Sequence, residues 1–410
     1  MNSTEIFQLA LGLQAPYKIT QVELQTDDSN AKSLHIYIDF ERGSKFKDET
    51  QKLCPVYDTV ERTWRHLNFF EHECYLHCRV PRILTSTSQV LQVNVPWARP
   101  NSGFTLLFEA FAMHLIECEM PVNKVGDIVS EYPKRIWTIF NFWINKAYSA
   151  VDHSQVTQVG IDETSSKKGH NYITIGVDLK EHNVLHAVAG KDAETVTQIK
   201  DYLETKGCPK EQIEQISIDL SPAFIQGATD NFPKASITFD RFHVKKLLNE
   251  AMDDVRKNER KDHQDLKGHK YIFLRNNTNL SKRQREDRDK LIVLYPVLGQ
   301  AYRLKELFDD FWEFKDVNEA AAFLSFWSDM AYESKIQSFT KFANTLKSHW
   351  SGIVNYIKTR ITNGILESIN AKIQLAKKRA RGFEVFITFV RKFTVYNYSI
   401  SYNTSSFAFL

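Results

Sequence analysis

Gly160-Ile161-Asp162-Glu163-Thr164-Ser165 is the stretch of sequence that decides the fold. Asp162 stands at the end of an apolar run that begins at Val156, and a second β-rich run follows from Gly169 to Asp178. This arrangement predicts a carboxylate held at the tip of a strand, beside a hairpin. Such a carboxylate is a natural ligand for a metal ion.

Two further acidic residues stand in comparable settings downstream. Asp219 ends the run Gln215-Ile216-Ser217-Ile218-Asp219, and Glu367 lies in a pattern that predicts a helix from Gly364 to Ala380. Strands are predicted at residues 156–162, 171–179, 183–190, 214–219 and 235–239. Three antiparallel strands followed by α–β crossovers predict a ribonuclease-H-like α/β fold, in which carboxylates on the first and fourth strands meet at one sheet edge.

Three neighbours of these acids are candidates for supporting roles. Asp240 and His243 follow the predicted fifth strand, near enough to the sheet edge to tune a metal-bound water or to contact the substrate. A helix-capping Asp with a packed His is the commoner case. Asn370 follows Glu367 by three residues, so the two side chains project together from one helix and Asn370 is a candidate to position Glu367 or to contact a phosphate.

Composition excludes several classes of protein. The 410 residues are 42% hydrophobic and 25% charged, as in globular proteins of two to four domains. No apolar run reaches the roughly 18 residues of a membrane span, and the N-terminus lacks the pattern of a signal peptide, so we expect a cytoplasmic protein without a membrane partner. Five cysteines argue against a disulfide framework. The net charge of +3 is uninformative, so a polyanionic partner must be inferred from local clusters of charge.

The first 100 residues predict a small β-rich domain. Residues 34–40 and 88–95 alternate between apolar and polar, as half-buried strands do. Between them lie three cysteines and three histidines, which are Cys54, Cys74, Cys78, His66, His72 and His77. Thiols and imidazoles suit zinc, but a ribbon site needs close Cys-x-x-Cys pairs and none is present. Bound zinc is therefore not expected, and buried thiols are the simpler interpretation.

The next 50 residues predict three helices, at residues 104–118, 121–130 and 133–148. The last two are joined by Ser130-Glu131-Tyr132 and have the size of a helix-turn-helix, whose second helix would lie in a major groove of DNA. Lys134 and Arg135, together with Asn141 and Lys146, are the candidates to face DNA. A plain helical bundle with a solvated polar face is the alternative.

A helical block at residues 251–351 separates Asp219 from Glu367. The segment that follows carries Glu367 and a concentration of basic residues, among them Lys372, Lys377, Lys378, Arg379 and Arg381. Such a local excess of positive charge is what a surface needs in order to follow the phosphates of DNA. A solvated basic helix is the alternative interpretation.

Taken together, these motifs resemble the DDE transposases of the ISL-three insertion-sequence family. The matching phrases are Ile161-Asp162-Glu163-Thr164-Ser165, Ser217-Ile218-Asp219-Leu220-Ser221-Pro222-Ala223, Phe239-Asp240-Arg241-Phe242-His243-Val244, and Asn363-Gly364 with Glu367, Asn370 and Lys372. They occur in the family's order across about residues 155 to 390. The resemblance implies that Asp162, Asp219 and Glu367 are the catalytic residues of a ribonuclease-H-like, retroviral-integrase-like core.

The resemblance also implies the chemistry. Three converging carboxylates require hard cations, so we expect two Mg²⁺ ions, with Mn²⁺ as a possible substitute, bound by the same three residues. The expected reaction is cleavage at transposon ends followed by attack of the freed 3′-hydroxyls on target DNA. The expected partner is double-stranded DNA, both terminal inverted repeats and target, bound by a homodimer in the bacterial nucleoid. A nuclease of the same fold without strand transfer and an inactive DNA-binding relic are the alternatives.

Four domains, in five segments of the chain, are expected from this interpretation. They are a β-rich domain (1–100), a helix-turn-helix-like domain (101–150), two parts of the catalytic core (155–250 and 352–400) and an all-helical insertion (251–351). The family usually carries an N-terminal zinc ribbon with paired cysteines. Because the cysteines here are scattered, the first domain is expected to resemble a zinc ribbon that has lost its metal ligands.

Overall fold

The computed structural model describes residues 2–28, 30–85, 88–118, 120–167, 171–361 and 364–379, without the side chains of residues 166, 167, 171 and 376–379. The described chain forms two compact units, one that ends at Ala150 and one that begins at Val151. None of the described helices combines the length and the apolar composition that a membrane span requires. The finer division into four domains stays a prediction.

The first unit is built on a mixed β-sheet preceded by helix α1 (Ser3–Ala10). Its strands among the described residues are β1 (Tyr17–Thr26), β2 (Lys32–Phe40), β3 (Lys45–Lys47), β4 (Leu53–Phe69), β5 (His72–Leu84) and β6 (Val90–Gln92). The strand order is β1-β2-β5-β4-β3, and β6 pairs with β5. One face of this sheet buries Ile36, Trp64 and Leu76, which form the core of the unit.

One expectation for this unit needs correction. The strand predicted at 88–95 contracts to the three residues of β6, whose side chains are exposed or half-buried. The segment with the scattered cysteines, for which no strand was predicted, is a long hairpin, β4 and β5. Cys54, Cys74 and Cys78 lie buried in the sheet core. Burial raises the pKa of Cys74 to about 11 and that of Cys78 to about 12, so both are protonated at neutral pH.

Three helices complete the first unit, close to the predicted positions, and they are α2 (Leu106–Glu117), α3 (Val122–Val129) and α4 (Pro133–Ala150). The turn between α3 and α4 is tight. Ser130 ends α3 in the left-handed conformation with φ of 56°, and the Gly126 carbonyl accepts the backbone N–H of Glu131 at 2.9 Å. A Cβ at Gly126 would lie 2.6 Å from the Glu131 carbonyl oxygen, so this turn requires glycine.

The second unit begins with an α/β sheet. Its described strands are β7 (Gln158–Lys167), β8 (Asn171–Asp178), β9 (Asn183–Ala189), β10 (Gln215–Ile218) and β11 (Ser236–Phe239), and the helices between and after them are α5 (Ala193–Thr205), α6 (Pro222–Asn231) and α7 (Arg241–Asp262). The strand order is β11-β10-β7-β8-β9. Strands β7, β8 and β9 pair antiparallel in the order of the chain, and β10 and β11 run parallel to β7. Predicted and observed strands agree, except that β7 continues to Lys167.

A helical block follows and then returns to the sheet. Its helices are α8 (Lys270–Leu274), α9 (Lys282–Leu294), α10 (Pro296–Phe308), α11 (Val317–Glu333), α12 (Gln337–Ser348) and α13 (Trp350–Thr359), and helix α14 (Gly364–Arg379) follows the block. Trp312 and Trp327 are buried in the middle of the block and form part of its core. Helix α13 contacts the edge strand β11, where the Asn355 amide donates to the Ile237 carbonyl at 3.1 Å. The block therefore returns the chain to the sheet before α14 begins.

Candidate active site

The register of the parallel strands brings three aspartates to one level. Ser217 on β10 pairs with Gly160 on β7, and continuing this register by two residues puts Asp219 level with Asp162. The β10–β11 register continues in the same way, which puts Asp240 level with Asp219. Paired residues of neighbouring strands share a face of the sheet. Asp162 lies in the middle of β7 and not at its tip as predicted, because β7 continues to Lys167. The middle of β7 and the carboxyl ends of β10 and β11 therefore form an acidic edge.

The charges at this edge interact. Burial raises the pKa of Asp162 to about 6, and the negative charges of Asp219 and Glu163 act in the same direction. The backbone N–H of Glu163, which donates to Asp162 Oδ1 at 2.8 Å, and the nearby His243 oppose that rise. Burial, followed by the charge of Asp219, also raises the pKa of Glu163. The charge of Asp219 is close enough to disfavour the ionisation of Asp162 and Glu163, which is the property of a site that attracts cations.

Backbone groups hold two of the aspartates in place. The Ser221 N–H donates to Asp219 Oδ1 at 2.9 Å, just before helix α6 begins. Asp240 is buried and caps helix α7, where its Oδ1 accepts the Phe242 N–H at 3.2 Å. His243 Nε2 lies 3.9 Å from Asp240 Oδ2. Asp240 and His243 thus combine a helix cap with a position at the acidic edge.

Helix α14 is fastened to β7 by side-chain hydrogen bonds. The Asn370 Nδ2 donates to Asp162 Oδ2 at 2.7 Å, across 208 residues of sequence. One turn further on, the Gln374 Nε2 donates to Thr164 Oγ1 at 2.6 Å and to the Ser165 carbonyl at 2.8 Å. The helix that carries Glu367 therefore lies along the strand that carries Asp162.

Apolar packing between α14 and the sheet, which we call the buried seam of α14, supports the same contact. Leu366 and Ile373 are fully buried against residues of β8. Leu366 also lies over Gly160, where a Cβ would come within 2.9 Å of Leu366 Cδ1 and 2.7 Å of Leu179 Cδ2. The missing side chain at Gly160 is what lets α14 approach β7 so closely.

Glu367 is exposed in the first turn of α14, one turn before Asn370. Within the described ranges, no three His, Cys, Asp or Glu side chains come close enough together to hold a metal ion. The side chain of Glu367 is exposed, although its helix is docked beside Asp162. Asn370 Oδ1, next to Asp162, is buried and has no hydrogen-bond partner among the described residues.

The basic candidates differ in their surroundings. Lys372 and Lys134 are exposed. Arg135 has a structural role, because its Nη1 donates to the Glu131 carboxylate at 2.7 Å and its guanidinium lies 4.3 Å from the centre of the Phe104 ring. Four of the candidates fall outside the described side chains, and these are Lys377, Lys378, Arg379 and Arg381.

Two contributors to the site were not predicted from the sequence. Gln374 follows Asn370 by four residues, the spacing that puts two side chains on one helix face, and this spacing was the available signal. Gly160 precedes Asp162 by two residues and so lies on the same strand face. Its role in the close approach of α14 follows from its packing against Leu366.

Comparison with known proteins agrees with this geometry. The family model described as "Transposase", of the ISL3 DDE type, matches residues 159–393, and the "Helix-turn-helix domain of transposase family ISL3" matches residues 93–144. The transposase for insertion sequence element IS1557 of Mycobacterium tuberculosis is 25% identical over 93% of both chains. The transposase for insertion sequence element IS1001 of Bordetella parapertussis is 28% identical over 91% of this chain and 93% of its own.

The fold, the acidic edge and these matches define an insertion-sequence transposase of the DDE class with a helix-turn-helix domain. The matched transposase region covers more than half of the chain. The protein belongs to the ISL3 family of transposases.

Proposed function

We propose that this protein cleaves the ends of its insertion sequence and joins the freed 3′-hydroxyls to target DNA by metal-assisted phosphoryl transfer at Asp162, Asp219 and Glu367. The observation that carries the proposal is the hydrogen bond from Asn370 to Asp162. It joins the helix of the predicted third acid to the strand of the first. Docking of this kind is what a catalytic group assembled from distant parts of a chain requires.

The second unit fits this role as a ribonuclease-H-like core with an all-helical insertion. Its strand order supports that classification, because β7, β8 and β9 are antiparallel and the two parallel strands β10 and β11 lie on the other side of β7. The first unit would supply a β-rich domain derived from a zinc ribbon and a helix-turn-helix that binds the terminal inverted repeats. A homodimer on the paired DNA ends, in the nucleoid of a bacterial cell, completes the proposal.

The donor atoms at the acidic edge suit hard divalent cations such as Mg²⁺, with Mn²⁺ as a substitute. Asp162 and Asp219 offer carboxylate oxygens whose mutual repulsion a cation would relieve, and the unpartnered Asn370 Oδ1 lies beside them. Asp162 and Asp219 would hold the ions, and Glu367 would join them from α14. Bound Mg²⁺ would neutralise charge on the phosphate and favour deprotonation of the attacking hydroxyl.

The chain's own contribution is to hold its donors ready. Asp162 is oriented by the Glu163 N–H on one oxygen and by the Asn370 amide on the other. Asp219 is oriented by the Ser221 N–H. Donors fixed in this way need little rearrangement when substrate binds, which is how preorganised sites lower a reaction barrier.

The test is cleavage and joining of labelled DNA that carries the inverted repeats flanking this gene, with Mg²⁺. We expect the wild type to give cleaved ends and joined products, and Glu367→Gln to give neither while still binding the ends. Glu333→Gln, at an exposed glutamate on α11, is the matched control and should behave as the wild type. Nicks without joined products would indicate a nuclease, and binding without any cleavage by the wild type would indicate an inactive relic.

A further inference from the structure

We propose that Phe242 and Lys246, on the first two turns of α7, form a binding site for the unpaired nucleotide that flanks the cleaved phosphate. We call these two residues the α7 patch. The inference rests on the proposed function, because it places the DNA strand at the acidic edge. It adds to that function a contact for the base and the phosphate next to the reacting bond.

The α7 patch lies at the right place for such a contact. Phe242 stands between Asp240, which is level with Asp219, and His243, whose charge acts on Asp162. Lys246 is one turn further along the same helix face, and its charge acts on Glu163. A strand whose phosphate reached the acidic edge would therefore pass over this end of α7.

Phe242 is exposed without a packing role that explains it. Its side chain is 56% exposed, although the residue stands in the first turn of a helix whose other face is buried. Its ring makes an edge contact with the His243 ring at 5.7 Å between centres. A large aromatic ring presented to solvent beside a nucleic-acid site is suited to stacking on a base, whatever the identity of that base.

Lys246 supplies the matching charge. It is exposed, and no carboxylate in the described part of the chain lies within ion-pair distance of its Nζ. Lys245, its neighbour, is paired with Asp309 at 2.7 Å and is not available in the same way. Lys246 can therefore approach a phosphate without giving up an existing ion pair.

A groove of about 700 Å³ begins at the patch and runs along α7. Its wall includes Asn249, whose Oδ1 is buried without a hydrogen-bond partner among the described residues. Further along, Asp253 is neutralised by Arg256 and Lys257 at 2.7 and 3.3 Å. Glu250 also lines the groove, one turn beyond Lys246, but it forms no ion pair with Lys246. Lys246 thus places an unpaired positive charge at the end of the groove near the acidic edge, which is the end where a DNA strand would enter.

The experiment measures binding and cleavage separately. Binding of the full chain is followed by fluorescence anisotropy in Ca²⁺ with fluorescein-labelled end DNA, either fully paired or with the nucleotides beside the cleavage position unpaired. We expect Phe242→Ala to weaken binding of the unpaired DNA by about 5- to 150-fold, the range for loss of one base stack, and Phe242→Trp to retain it. Lys246→Gln should reduce the slope of the logarithm of the binding constant against the logarithm of the salt concentration by about 0.7. Cleavage in Mg²⁺ should fall in parallel.

Matched controls and a modified DNA identify the contact. Phe326→Ala removes a phenylalanine of equal exposure, 56%, on α11, and Lys341→Gln removes an exposed lysine on α12; neither should change binding. Replacing the flanking nucleotide by an abasic one should weaken binding by the wild type and leave Phe242→Ala unaffected, because its stacking partner is already gone.

Each outcome has a definite meaning. Equal binding by Phe242→Ala and Phe326→Ala, or equal sensitivity of the wild type and Phe242→Ala to the abasic nucleotide, would overturn the inference. Patch-dependent binding with no cleavage by the wild type would overturn the proposed reaction and keep the binding site. Cleavage that is unaffected by both patch substitutions would overturn the site and keep the reaction.

Discussion

Replacing Asn370 by alanine tests the contact on which the catalytic proposal depends. The substitution removes the 2.7 Å hydrogen bond to Asp162 Oδ2 and leaves the buried seam of α14 intact. A hydrogen bond from an amide to a carboxylate contributes about 1.5–3 kcal/mol. If that free energy holds α14 beside β7, its loss lowers the rate of end cleavage by about 10- to 150-fold.

The assay is the initial rate of cleavage of labelled end DNA, with circular dichroism to confirm that the variant is folded. Gln374→Ala weakens the docking of α14 without touching Asp162, so it should lower the rate by a smaller factor. Asn370→Asp, which puts a second negative charge against Asp162, should lower it more than alanine does. Ser368→Ala, at an exposed position of the same helix, is the control and should cleave as the wild type does.

A folded Asn370→Ala protein that cleaves within twofold of the wild type would refute this reasoning. The hydrogen bond would then be incidental, and α14 would be held by its apolar residues alone. Equal losses for Asn370→Ala and Gln374→Ala would show instead that docking matters and that the orientation of Asp162 does not.

Other parts of the molecule give predictions of stability. Arg65→Met removes a buried guanidinium that donates to the Val129 carbonyl at 3.4 Å, and calorimetry should show a loss of roughly 3 kcal/mol in the first unit. Gly126→Ala forces a Cβ to within 2.6 Å of the Glu131 carbonyl oxygen, so it should cost about 1–3 kcal/mol and weaken binding of end DNA in gel-shift assays. Burial, aided by the charge of Lys206, lowers the pKa of His153 to about 4, and between that value and about 6.5 the unfolded chain binds more protons. Stability of the second unit should therefore fall by about 2 kcal/mol from pH 7 to pH 5 in urea titrations.

Each of these predictions has a matched control. Arg79→Ala breaks an ion pair to Asp39 in which the arginine is 55% exposed, so the loss should stay below about 1 kcal/mol. Gly103→Ala places a Cβ 3.6 Å from its nearest neighbour and should be tolerated. His153→Asn should remove the loss between pH 7 and pH 5. A first unit unchanged by Arg65→Met, or an acid sensitivity that survives His153→Asn, would contradict the corresponding assignment.

Local patterns were sufficient to predict the catalytic sheet. Short apolar and β-rich runs located all five strands of the second unit, and the parallel register then puts Asp162 level with Asp219. The long hairpin of the first unit was missed because β4 and β5 contain Pro55 and Pro81, which normally argue against strands.

Local sequence patterns could not predict the docking of α14 against β7. The spacing of Glu367 and Asn370 indicated that the two side chains project from one helix, but not which of them would touch a strand residue some 200 positions earlier. The structure brings Asn370 to Asp162 and leaves Glu367 exposed. Which of the two side chains contacts Asp162 depends on how Leu366 packs over Gly160, and that is a property of tertiary packing.

Helix α14 is also the last described element to leave the ribosome. A nascent chain acquires helices α2 to α4 and both strand aspartates long before Gly364 is synthesised. A product truncated by a premature stop codon or a frameshift upstream of that glycine would keep these parts and lack the helix that carries Asn370. Under the proposed function, such a fragment would still bind DNA ends without cleaving them, so it would compete with the intact protein for those ends.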